Sequence, residues 1–238
     1  MKRDRFFYVA AGAIFMVLIV LGFQQYIFHG LHVDGSPIAP AMLAVVVAHS
    51  SAIFLWFVGF LVQALLISTH NRRAHMTLGW GVVGIAALIV VTGPLVATRS
   101  LQVDPSQVVF DWPSRQFLLV MYTEIALFAA FVTMGVLNRK RPRIHRPMML
   151  MACLAIVSGA TARIAQVNSI YGLHLWVALF GPVVTLGVLL LVVRAVMTRS
   201  FDRPFATGLA VLTVVTLVAG RLAMTSVWVD WAGMILKR

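Results

Sequence analysis

Seven stretches of this chain are each apolar over about 20 residues, the length that a helix needs to cross a bilayer core of about 30 Å. Short polar or basic breaks separate them, and the chain is 61% hydrophobic and 11% charged, outside the range of soluble domains. The sequence therefore predicts one all-α transmembrane domain over 1–238, a polytopic helix bundle. Its seven predicted spans are 6–28, 41–67, 76–97, 116–137, 147–165, 173–197 and 205–225.

Basic residues alternate onto one side of this topology. They precede the first span and cluster in the breaks around 72–73, 139–146 and 194–203. Because Lys and Arg near span ends mark the cytoplasmic side, the N-terminus is predicted in the cytoplasm and the C-terminus outside. The compact loops and the Arg-rich composition indicate a multi-pass protein of the bacterial inner membrane.

The formal net charge of +12 bears on partners. In a soluble protein such a charge favours nucleic acid, but here the cations lie at span ends, where anionic lipid headgroups are the expected contact. We therefore expect lipid contacts and no nucleic-acid binding, while a protein partner or small-molecule substrate is left open. The single cysteine, Cys153, forms no intrachain disulfide and is interpreted as a packing residue.

A polar stripe runs along the second span. His49, Trp56, Gln63 and His70 recur every seven residues, so a helix places them on one face over roughly 31 Å. Of its two histidines His49 lies deeper in the membrane, where a histidine suits haem or metal ligation, proton relay or base chemistry. The alternative is a neutral imidazole that hydrogen-bonds neighbouring helices.

Glu124 is the only acidic residue inside a predicted span, at about the depth of His49. A carboxylate there requires protonation, a cationic partner or water. Arg163 and Arg221 approach the same level from the opposite direction, or alternatively extend to the interface. The sequence thus predicts a polar intramembrane cluster of His49, Glu124, Arg163 and Arg221 in the outer half of the bundle.

Other histidines fall at span ends. His174 begins the sixth span on the outer side and is, with His49, the second candidate haem or metal ligand. The segments 71–78 and 141–148 echo each other, because in each a basic loop leads to a histidine, His75 or His145, that opens the next helix. Ordinary cytoplasmic loops also give this pattern. With His70, these two histidines are expected to contact lipid phosphate or cap helices, since the surrounding cations disfavour a metal ion.

Glycine and proline mark two further features. Gly93–Pro94 and Gly181–Pro182 are expected to bend the third and sixth spans, either as plain kinks or as broken helices at a site. Gly79, Gly81 and Gly84 predict a small-residue face for close helix packing.

An intramembrane His49, then Trp56 and Gln63, then a basic loop with His75 before Leu78–Gly79–Trp80, resembles uncharacterised bacterial multi-helix inner-membrane proteins. More distantly it resembles cytochrome b561-type proteins, over about 45–165. That resemblance implies haem b held edge-on to the bilayer by histidines on facing helices.

Three functions stay open at this point, and so does the question whether the protein is an enzyme. It is predicted as a non-catalytic sensor or assembly factor, as a haem-binding redox protein, or as a small proton-coupled transporter. P-loop, HExxH and Gly-x-Ser-x-Gly motifs are absent from the sequence. A lipid-modifying enzyme with an unfamiliar site is a further alternative.

Overall fold

A computed structural model of the chain describes residues 2–32, 35–104, 108–109, 112–172 and 175–236. The fold is helical apart from two short antiparallel strands of two residues each, β1 (Val108–Val109) and β2 (Trp112–Pro113). In this pair Val108 lies opposite Pro113. The helices are α1 (Lys2–Gly22), α2 (Gln24–His29), α3 (Pro40–Ser68), α4 (Arg72–Val103), α5 (Ser114–Leu137), α6 (Pro142–Ile156), α7 (Ser158–Thr161), α8 (Ala165–Tyr171), α9 (Leu175–Thr198), α10 (Arg203–Ala223) and α11 (Ser226–Leu236).

Six of the helices described here, α1, α3, α4, α5, α9 and α10, are long and apolar enough to cross a membrane. They match six of the seven predicted spans and make this a multi-pass membrane protein. The first predicted span is shorter than expected: α1 ends at Gly22, and Phe23 has non-helical backbone angles before α2 begins.

Short sequence signals set the helix ends. Asn71 caps α4 by accepting a hydrogen bond from the Ala74 amide at 3.2 Å, and Asp202 caps α10 by accepting one from Phe205 at 3.1 Å. Just after α3 and α9, His70 and Arg199 adopt positive φ angles of 65° and 52°, which stop each helix.

The fifth predicted span, 147–165, is a broken helix. It begins as α6 at Pro142 and stops at Ile156, and α7 then adds one turn. Every side chain from Leu150 to Ala155 is buried. Because none of these residues meets the surroundings, this segment forms the centre of the bundle.

The six long helices surround that centre. Contacts run from α1 to α3, α4, α5, α10 and α9 in turn, and α9 returns to α1. Helix α6 packs against α5, α10 and α9, and α7 packs against α1 and α9. Large apolar side chains such as Leu88, Val91, Val192 and Val214 are exposed on the outer faces, as lipid contact requires.

Charged contacts join several helix ends into what we call the basic end of the bundle. Asp4 bonds Arg146 at 2.5 Å and Arg194 at 3.1 Å, Arg194 also pairs with Asp202, and Arg5 bonds His70. The opposite end, called the far end, carries α11, whose Trp228 indole donates to the Arg115 carbonyl at 2.7 Å.

The glycine and proline positions behave differently from the prediction. Helices α4 and α9 run on through Pro94 and Pro182, so the broken-helix alternative is wrong at both places, while that of a plain kink stays a prediction. The interruption lies between α6 and α7 instead. The predicted packing face is also wrong, because Gly81 and Gly84 have no neighbouring atom within 4 Å of the place a Cβ would occupy.

Candidate functional site

A cavity of about 1000 Å³ opens into the bundle from the basic end. Its wall comes from α1, α3, α4, α5 and α6 and is mainly apolar. On α3 it extends from Ile67 back to Trp56, about 16 Å at 1.5 Å per residue. The space is therefore long, and it reaches from the polar surface to the middle of the bundle.

Two histidines lie side by side in this wall. His75 is the fourth residue of α4 and His145 the fourth residue of α6, and their ring centres are 6.3 Å apart with the planes at 85°. His145 Nδ1 is 2.9 Å from the Gly135 carbonyl oxygen, to which it donates. An Nδ1–H held by a carbonyl leaves Nε2 as the ligating nitrogen, the usual arrangement of a metal-bound histidine.

The protonation of His145 suits this role. His145 comes before the predicted span that begins at Pro147. Burial lowers the pKa of its imidazole. The Gly135 carbonyl raises this pKa in opposition, and the Arg146 guanidinium lowers it further. The imidazole is therefore neutral near pH 7, which is the form that binds metals.

Gln63 holds the second ring from the neighbouring helix. With its amide nitrogen toward His75, it donates to ring Nδ1 and to the His75 carbonyl at 3.0 Å. Its amide oxygen then accepts from the Gly79 backbone N–H at 3.0 Å. Nδ1 of both histidines thus has a hydrogen-bond partner. Nδ1 of His145 donates to a carbonyl oxygen, whereas Nδ1 of His75 accepts from an amide N–H.

Gly79 follows His75 by one turn and also lines the cavity. A Cβ at this position would lie 4.0 Å from the Gln63 amide, which bonds the Gly79 N–H. The space on α4 beside His75 is therefore taken up by the Gln63 side chain.

Two buried donors belong to residues of the cavity wall. Among the described residues, the Tyr8 hydroxyl, in a side chain that is 7% exposed, has no hydrogen-bond partner. The Trp56 indole N–H, in a residue 2% exposed, donates to the Cys153 sulfur. Both donor atoms are covered by the surrounding side chains, so neither is presented to the cavity.

The mouth of the cavity is cationic. Its charged lining residues are all basic, and they are Arg5, Arg72, Arg139, Lys140 and Arg146. Trp80 lies at the same mouth, with the Arg139 guanidinium 5.6 Å from its ring centre. An apolar interior with a cationic mouth suits an amphipathic ligand that carries negative charge at one edge.

The predicted stripe on α3 divides between two places. Trp56, Gln63 and His70 line the cavity, whereas His49 lies beyond its lining. His49 Nδ1 is 2.9 Å from the Thr92 hydroxyl, and its Cε1 approaches Gly93. This bond between helices agrees with the alternative role of His49 as a packing residue.

Glu124 lies at the break of the central helix, as part of the predicted polar cluster. Ser158, the first residue of α7, donates to its carboxylate, and Arg163 lies close enough for the two charges to interact. Arg163 also donates to the Gly159 carbonyl at 2.6 Å and lies over the Phe23 ring at 5.0 Å. Glu124 and Arg163, two of the four residues of the predicted cluster, thus lie close together.

Arg221, the fourth residue of the predicted cluster, is exposed in the last turn of α10. His174, the second predicted haem or metal ligand, lies outside the described residues. Over the described ranges, no group of three or more His, Cys, Asp or Glu side chains is arranged to hold a metal ion. The His75–His145 pair is the arrangement that sequence reasoning missed, although the echo between 71–78 and 141–148 contained the signal.

Comparisons with protein-family models, with the curated proteins and with the solved structures found no match. The resemblance to cytochrome b561-type proteins therefore stays a prediction. Function has to be inferred from the geometry of the cavity.

Proposed function

We propose that this protein is a haem-binding redox protein of the bacterial inner membrane, with one haem b held between His75 and His145. The observation that carries the proposal is the spacing of these two rings in the wall of a long apolar cavity. In this proposal the chain crosses the membrane seven times, with the predicted span 147–165 as the fifth crossing. The basic end faces the cytoplasm and anionic lipid.

The ring spacing matches two imidazoles on opposite sides of one metal atom. A metal–imidazole bond is about 2 Å long, and each ring centre lies about 1 Å beyond its nitrogen, which gives about 6 Å between centres. The observed value is 6.3 Å. Imidazole is an established axial ligand of haem iron, and haem supplies one-electron redox chemistry when bound.

The rest of the cavity suits the same ligand. Its mainly apolar wall and its volume of about 1000 Å³ would accommodate a macrocycle. The carboxylates of a haem would meet the cations of the mouth, where Arg5 and Arg146 are two of several candidates.

Visible spectra of the purified protein test this proposal. The chain is produced in cells supplied with haem, purified in detergent, and measured oxidised and after dithionite. We expect a Soret band with sharp reduced α and β bands, and one haem per chain by pyridine haemochrome. His75→Ala and His145→Ala should each lose the low-spin spectrum because each removes an axial ligand.

His49→Ala is the matched control, because His49 also lies in a long helix but outside the cavity. It should keep the wild-type spectrum, and size-exclusion profiles show which variants remain folded. A colourless protein would overturn the proposal. So would an unchanged spectrum in the His75→Ala/His145→Ala double variant, and loss of haem only in His49→Ala would restore the predicted His49 ligand.

A further inference from the structure

The two rings of the His75–His145 pair differ in what faces Nδ1. On His145 it is a backbone carbonyl, which can only accept a hydrogen bond, so the proton stays on Nδ1. On His75 it is the Gln63 amide, which presents either two N–H donors or one oxygen acceptor. The tautomer of His75 therefore depends on how Gln63 is turned.

The backbone of α4 decides that orientation. Two bonds of 3.0 Å, from the amide nitrogen to the His75 carbonyl and from the Gly79 N–H to the amide oxygen, hold the nitrogen toward His75. The opposite orientation would place the amide oxygen against the His75 carbonyl oxygen. It would also place the amide N–H donors against the Gly79 N–H. In the orientation that these two bonds favour, Nδ1 accepts a hydrogen bond, so the single proton of a neutral ring lies on Nε2.

A proton on Nε2 blocks that nitrogen as a ligand. We propose that Gln63 is a positioning residue that selects the tautomer of His75. It keeps the proton on Nε2 in the haem-free chain, and Nε2 of His75 would be free to hold a haem only with the Gln63 oxygen turned to Nδ1. The haem-bound half of this inference rests on the proposed function, whereas the tautomer of the haem-free chain does not.

The same contact would set the redox potential. An acceptor on Nδ1–H makes the imidazole a stronger donor to the metal and favours the ferric state. Gln63 provides such an acceptor only after its amide group has turned. Turning breaks the two hydrogen bonds that Gln63 makes with the α4 backbone. His75 is consequently held as the weaker of the two ligands, and position 63 is the place at which this can be changed.

Nitrogen NMR of the haem-free protein tests the tautomer directly. In protein labelled with ¹⁵N-histidine, protonated and unprotonated ring nitrogens resonate far apart, and His75→Ala assigns the His75 signals. We expect His75 with a protonated Nε2 and His145 with a protonated Nδ1 as the internal reference. Gln63→Glu, whose carboxylate only accepts, should move the His75 proton to Nδ1. A His75 already protonated at Nδ1 in the wild type would overturn the inference.

Midpoint potentials test the haem-bound form. Gln63→Glu should lower the potential, and Gln63→Met, which removes the acceptor without adding charge, should raise it, while both keep the low-spin spectrum. Gln116→Met, the same exchange near the far end, is the control and should leave the potential unchanged. Equal potentials in wild type and Gln63→Met would contradict the role of Gln63 alone, whereas the absence of haem from the wild type would contradict the proposed function alone.

Discussion

Gly22 lies against the backbone of α7, in the broken central helix, and replacing it with alanine tests the fold at that point. A Cβ on Gly22 would lie 2.7 Å from Cα and 2.8 Å from the carbonyl carbon of Ala160, and closer still to its carbonyl oxygen. All three atoms belong to the backbone. No side-chain rotation relieves the overlap, so α1 and α7 must move apart.

The size of the effect follows from this overlap. Overpacking a buried site costs about 1–3 kcal/mol, and a backbone contact belongs at the upper end, about 3 kcal/mol. For a chain of this size, each kcal/mol lowers the melting temperature by roughly 2–4 °C. Gly22→Ala is therefore expected to melt about 6–12 °C below the wild type.

Fluorescence-detected size-exclusion chromatography after heating in detergent measures this shift. Gly81→Ala is the matched control, because Gly81 lies within α4 and a Cβ there meets no atom within 4 Å. It should melt at or slightly above the wild-type temperature, since alanine favours a helix by up to about 1 kcal/mol over glycine. If Gly22→Ala and Gly81→Ala melted together, α7 would not pack against α1 as described.

Two other predictions concern the histidine pair and the buried acid. Because burial lowers the pKa of His145 from about 6.5, haem binding should be constant above about pH 7 and weaken only as the pH falls through that lowered value. A Soret titration measures this, and loss of haem on raising the pH would have the wrong sign. Glu124→Gln keeps an acceptor for Ser158 but removes the charge facing Arg163, so we expect a loss of about 2 kcal/mol. Thermal unfolding should show that loss, with part of it recovered in Glu124→Gln/Arg163→Gln; additive losses would mean that the two charges do not interact.

The helices could be predicted largely from hydropathy and loop charge, because both follow directly from the bilayer. Six of the seven predicted spans correspond to long apolar helices. The fifth differs because protein surrounds it on all sides, and a helix buried in protein can break wherever side chains satisfy its backbone. Hydropathy does not distinguish a residue such as Leu150 facing protein from one such as Val91 facing lipid.

The candidate site was predictable only in part. The seven-residue period on α3 grouped Trp56, Gln63 and His70, which do share the cavity wall. It also included His49, because a helical period continues past the point where the cavity ends. Pairing His75 with His145 required knowledge that α4 and α6 lie near each other at the basic end, which no periodicity within one helix contains.

The basic residues around the histidine pair explain which ligand the site favours. A bare divalent cation between His75 and His145 would be repelled by Arg72, Arg146 and the positive ends of two helices. A haem brings two carboxylates of its own, so the same cations attract it. The charge that disfavours a simple metal site at this mouth thus favours an anionic macrocycle. Each histidine is the fourth residue of a helix that begins at the basic end, so the two imidazoles lie at the same depth below that end.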